Sequence, residues 1–130
     1  MKLITYDTFA PGTILGEWED CIDASLSSAW SQLFGAGSPN EPAQMAGLAV
    51  ILMMRAYLNI VTPRPPGNIH AKQKFSLDGL PRPGETVRSC VSCLSKEIRR
   101  ERRYIQLQAI GKGANGRAIY TGQMNLIWAA

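Results

Sequence analysis

A chain of 130 residues, 45% hydrophobic and 18% charged, has the size and make-up of one soluble globular domain over 1–130. The formal net charge is +4, and much of the excess lies in Arg99-Arg-Glu-Arg-Arg103. No recognition helix, zinc pair or aromatic strand motif accompanies that run, which argues against a nucleic-acid partner and leaves a solvated hairpin tip or a phosphate-contacting patch.

The N-terminus reaches Asp7 too early to hold the apolar region of a signal peptide. Cys21, Cys90 and Cys93 are an odd set with no metal-ligand spacing, so no metal is expected. Cys90 and Cys93 fall in a period-2 segment and point to opposite faces. Reduced thiols and a cytoplasmic setting follow.

In chain order, Pro11-Gly12 is a turn and residues 13–22 (TILGEWEDCI) read as a first strand. Asp23 or Ser25 can cap a short helix, Ala24–Phe34, whose Leu26, Ala29, Trp30, Leu33 and Phe34 recur at helical spacing. Gly35-Ala-Gly-Ser-Pro39 is a loop. A long helix then spans about 41–59, with Asn40 as its cap, Glu41 near the positive helix end and Pro42 in the first turn. From Pro42 to Met54 only Gln44 is polar. A helix apolar on all sides must be enclosed by protein or lipid. This run is well short of the ~20 apolar residues of a membrane span and ends at Arg55, so protein encloses it.

The string Val61-Thr-Pro-Arg-Pro-Pro-Gly67 breaks the helix, and four strands follow. Asn68–Asp78 sets Ile69, Ala71, Gln73, Phe75 and Leu77 on one face against His70, Lys72 and Lys74. Thr86–Ile98 and Arg103–Ile110 pair through the basic tip. Gly111–Gly116 turns into the last strand, Arg117–Trp128. The pattern predicts an α+β domain, an antiparallel sheet curled around one long buried helix.

That order of elements resembles the hotdog fold, and its details resemble the MaoC-like hydratase/dehydratase family. Gly67-Asn-Ile-His-Ala-Lys-Gln-Lys-Phe75 resembles the strand after the hotdog helix. Leu80-Pro-Arg-Pro-Gly-Glu-Thr-Val87 resembles the family's F-x-x-P-x-x-P-G-D-T-L turn, with Glu85 in place of Asp. Asn115-Gly116 and the strand ending Leu126-Ile-Trp128 resemble its closing hairpin. The resemblance implies an acyl-thioester ligand or substrate, carried on coenzyme A or an acyl carrier protein, with no further cofactor. Family members hydrate 2-enoyl thioesters, or run the reverse dehydration, through an Asp-x-x-x-x-His pair placed before the hotdog helix. Between Phe34 and Pro42 this chain has neither Asp nor His.

What survives of that site is electrostatic: the N–H groups of about Ala43, Gln44 and Met45 at the helix start, free to meet an oxyanion. Each neighbouring residue admits two roles. Glu41 is a first-turn carboxylate or a general base, and Asn40 a cap or a ligand contact. Gln44 is a core hydrogen-bonding group or a ligand contact. His70 is an exposed strand residue or an acid/base group in the acyl channel. Arg64, Arg82 and the 99–103 cluster are surface cations or phosphate contacts. Three functions remain open. They are a MaoC-like hydratase or dehydratase, a hotdog thioesterase using Glu41 to activate water, and a non-catalytic acyl-binding subunit. The open edge of a curled sheet implies a homodimer or larger, or a hetero-oligomer with a catalytic hotdog subunit.

Overall fold

The computed structural model describes residues 2–23, 25, 26, 28, 32 and 42–130. Five strands form one antiparallel sheet: β1 (Ile14–Cys21), β2 (Ile69–Leu77), β3 (Thr86–Arg99), β4 (Arg102–Lys112) and β5 (Ala118–Trp128). Their spatial order is β1-β3-β4-β5-β2, which leaves β1 and β2 as edges. A single long helix, α1 (Pro42–Ile60), packs against all five strands.

The reason is the one its sequence supplies: no face of α1 is polar enough to be left in water over its middle turns. Leu48, Ala49, Leu52, Met53 and Ala56 are fully buried, against Val87, Val91, Leu107, Ala109, Met124 and Leu126 of the inner sheet face. Helix and sheet approach so closely that a Cβ on Gly122 would collide with the Met53 thioether, and within the sheet one on Gly111 would collide with the Tyr120 ring of the neighbouring strand.

Ser25, Leu26, Ser28 and Gln32 are helical, and the Leu26 N–H donates to Asp23 Oδ1 at 2.8 Å, so Asp23 is a helix cap. The rest of the expected Ala24–Phe34 helix, with Trp30, and the Gly35–Pro39 loop lie outside the described residues. Arg100 and Glu101 make the β3–β4 turn with φ of 52° and 67°, confirming the basic run as an exposed hairpin tip. Cys21, Cys90 and Cys93 are free thiols.

The N-terminal segment, for which the sequence suggests no element, seals one end of the core. Phe9 is buried edge-on to Trp128 with ring centroids 5.1 Å apart, and Trp128 Nε1–H donates to the Ile4 carbonyl at 2.8 Å.

β2 corrects one expectation. Its pairing with β5 shifts register between His70 and Lys72, a bulge at Ala71. Strict alternation places His70 with Lys72 and Lys74. The bulge instead sets His70 opposite Leu126 on the helix side, with Gln73 and Phe75, while Lys72 and Lys74 oppose Asn125 and Gln123 on the outer side. Tyr57 of α1 confirms it, its ring lying edge-on to His70 at 6.5 Å between centroids.

Candidate functional site at the start of the central helix

The first helical N–H groups have no partner within α1, and Pro42 occupies the position where a missing N–H costs nothing. Beside this start lies a cleft of about 410 Å³, walled by Met45, Leu80, Pro81, Arg82, Pro83 and Arg117. The prolines stiffen the wall, since each fixes its own backbone and restricts the residue before it.

The cleft wall is anchored by Glu85, whose side chain is 5% exposed and ion-paired to Arg117. Its carboxylate also accepts the Arg82 N–H and the Ala114 N–H, each at 2.9 Å. One carboxylate thus ties the Pro81–Gly84 turn to the β4–β5 connection. Burial alone would raise its pKa. The bonds from Ala114 and Arg82 and the Arg117 guanidinium outweigh that, and the carboxyl sits below its ordinary value. Arg117 is therefore neutralised, whereas Arg82 has no acidic partner among the described residues.

Gln44 is 4% exposed and its Nε2 has no hydrogen-bond partner among the described residues. Asn40 and Glu41 lie outside the described residues. The remaining expected site residues stand elsewhere. Arg64 is at the other end of α1, where Nη1 donates to the carbonyls of Leu58 at 2.9 Å and Val61 at 2.7 Å and the guanidinium lies 5.6 Å from the Tyr57 ring centre. It tethers the helix C-terminus. Burial raises the Tyr57 pKa, and the Arg64 charge offsets only part of this.

His70 is at that same far end. From Gln44 to Tyr57 the helix rises roughly 20 Å, so within one copy His70 does not meet the helix start. The structure thus brings Met45 together with Leu80, Arg82 and Arg117, and separates them from Arg64 and His70. Sequence reading names Glu85 only as a turn residue. Its partner Arg117 lies far along the chain, and no local pattern announces the pair.

A second groove, about 320 Å³, crosses the outer sheet face between Lys72, Tyr104, Gln106 and Asn125. The whole sheet separates it from the helix start. Among the described residues no cluster of His, Cys, Asp and Glu could hold a metal ion, and no helix is long and apolar enough to cross a membrane.

The sequence matches no family model and no curated protein. Solved structures are similar. A MaoC-like dehydratase from Rhodospirillum rubrum superposes with a TM-score of 0.78 at 13% identity, covering 98% of each chain. An R-hydratase from Pseudomonas aeruginosa gives a TM-score of 0.78 at 14% identity, over 97% of this chain and 86% of that one. A conserved hypothetical protein from Mycobacterium tuberculosis with a double hotdog fold gives 0.76 at 13% identity, over 98% of this chain and 44% of that one. At such identities the likeness is one of fold: this chain has the α+β hotdog fold of MaoC-like dehydratases and (R)-hydratases.

Proposed function

We propose that this protein binds acyl thioesters of coenzyme A or an acyl carrier protein at the start of α1, as a MaoC-like hotdog protein whose hydration chemistry is degenerate. One observation carries the reading. In a fold shared with hydratases, the start of α1, whose first N–H groups have no partner within the helix, lies beside a cleft whose Arg82 has no acidic partner among the described residues. Such groups suit a thioester oxygen that becomes enolate-like during hydration. That reaction also needs a proton donor and acceptor, each typically worth ~10²–10⁴-fold, and the sequence before α1 lacks the family's Asp and His.

The functional unit in this reading is a homodimer joined along β2. That edge strand is exposed along nearly its whole length, and an unpaired edge invites another strand. Antiparallel self-pairing centred on Phe75 keeps Lys72 away from Lys74 and sets it against Asp78 of the other copy, replacing repulsion with attraction.

The test is calorimetric titration with butyryl-CoA beside crotonyl-CoA hydration and acyl-CoA hydrolysis assays. Binding with feeble turnover is expected. Hydration at an ordinary enzyme rate overturns the degeneracy, hydrolysis establishes a thioesterase, and the lack of both binding and turnover removes the reading. For the seam, Lys74→Cys mixed with Ser76→Cys should form an oxidant-dependent cross-linked dimer, because directly opposed strand residues fall within disulfide reach. A 14.2 kDa particle in light scattering, or a dimer that does not cross-link, rejects that seam.

A further inference from the structure

We propose that the Gln44 side chain is a specificity-determining donor, its Nε2–H reaching the carbonyl oxygen of a bound acyl thioester. The inference rests on the thioester reading above and deepens it. Gln44 is the only polar residue from Pro42 to Met54, and at 4% exposure it is cut off from water. Its Nε2 nevertheless has no hydrogen-bond partner among the described residues. An unmet buried donor costs stability that an apolar side chain of the same length would not. Side chains on a helix lean toward its N-terminus, so the carboxamide is directed to the first turn of α1, where the next residue, Met45, walls the cleft.

A carbonyl oxygen bound by the helix N–H groups presents two lone pairs and can accept a further donor. Gln44 supplies that donor without carrying charge into an apolar helix. A thioester then satisfies the amide, whereas a ligand with the same chain and no carbonyl leaves it unmet.

The experiment compares butyryl-CoA with S-butyl-CoA, the thioether lacking the carbonyl oxygen, by calorimetry on the full chain. Wild-type protein should prefer butyryl-CoA. Gln44→Met keeps the length and removes the donor. It should bind butyryl-CoA about tenfold more weakly, the scale of one lost hydrogen bond, leave S-butyl-CoA unchanged, and melt no lower than wild type. Gln44→Glu, which replaces the donor with an acceptor, should lose the preference at least as fully, and it decides the matter if Gln44→Met fails to fold. Equal losses for the two ligands, or a lower melting temperature with the preference kept, overturn the proposal and make Gln44 a packing residue. Wild-type protein that binds neither ligand removes the thioester reading itself, and wild-type protein that binds both alike removes only the role of Gln44.

Discussion

Glu85, bonded to the cleft wall at Arg82 and Arg117, and Gln44, the chain neighbour of the cleft-lining Met45, are both buried polar side chains with opposite surroundings. Glu85 holds Arg117 and accepts two backbone N–H groups. The Gln44 amide nitrogen has no hydrogen-bond partner among the described residues. Buried polar groups in folded proteins are nearly always satisfied, and a fully met network rigidifies the structure around it. Glu85 thus fixes where the cleft wall stands, while Gln44 keeps a donor available for the role proposed above. Two residues of similar polarity near one helix end are thus set apart by whether their hydrogen bonds are made within the described part of the chain.

The sharpest way to break this contrast is to remove Glu85. Glu85→Ala leaves two N–H groups and the Arg117 guanidinium without their acceptor, and breaking a buried pair from one side costs about 3 kcal/mol. Urea unfolding should show the midpoint falling by that equivalent with an unchanged slope. The pH dependence follows from the lowered carboxyl pKa. The unfolded chain binds the proton nearer the ordinary value of 4.5. Stabilisation is therefore complete above that pH and is lost as pH falls through the lower folded-state value. Glu85→Gln should start less stable at neutral pH and lack that part of the acid limb. If Glu85→Ala unfolds like wild type, the carboxylate is not the anchor its bonds imply.

Most of the architecture that holds these residues is legible in the sequence, because it rests on periodicity. The all-round apolar run predicts a buried helix over about 41–59, found at Pro42–Ile60. The last two strands are expected at Arg103–Ile110 and Arg117–Trp128 and found at Arg102–Lys112 and Ala118–Trp128. Periodicity fails at His70, since one bulged residue at Ala71 reverses the parity of everything on one side of it. Nothing in Ile69-His-Ala-Lys-Gln marks where that residue is inserted.

The site is less legible than the fold. A helix start is visible as a cap and a proline, but the cleft wall depends on Glu85 meeting Arg117, a contact fixed by tertiary structure. The N-terminal plug escapes for the same reason: Leu3, Ile4, Tyr6 and Phe9 follow no helical or strand period, and the contact of Phe9 with Trp128 is fixed by tertiary structure.

A smaller effect tests whether the cost scales with the number of partners lost. Ser89 Oγ and Tyr120 Oη share a buried hydrogen bond at 2.5 Å and have only each other. Tyr120→Phe leaves one hydroxyl unmet and should cost about 1 kcal/mol at neutral pH, well below the loss for Glu85→Ala. Burial raises the Tyr120 pKa, only partly offset by the Ser89 bond, up to about 12. The unfolded phenol ionises near 10.0. The stability tied to the neutral form is thus fully present below pH 10 and lost as pH rises toward 12. Alkaline unfolding of Tyr120→Phe should lack that segment of the decline, and an unchanged alkaline limb would mean the phenol is not protected as its burial requires.

The smallest effect lies on the outer surface. Glu19 and Arg88 oppose each other across β1 and β3 and form an ion pair, with side chains 53% and 60% exposed. By geometry alone this contact resembles Glu85 with Arg117. The physics differs, because water and salt screen the charges and two long side chains surrender rotamer freedom to meet. Hydrogen bonding to Glu19 and the nearby carboxylates still raises the Arg88 pKa, but at full exposure that shift is no measure of stability. The register of β1 is held independently by the backbone ladder running from Gly16 to Cys21 against Thr86 to Val91. Arg88→Ala should therefore leave the urea midpoint unchanged at physiological ionic strength, and any small loss at low salt should vanish as salt is added. A loss as large as that of Tyr120→Phe, persisting in high salt, would show that burial is not what separates the costly polar contacts of this fold from the idle ones. The distinction between Glu85 and Gln44 would then have to be argued from geometry alone.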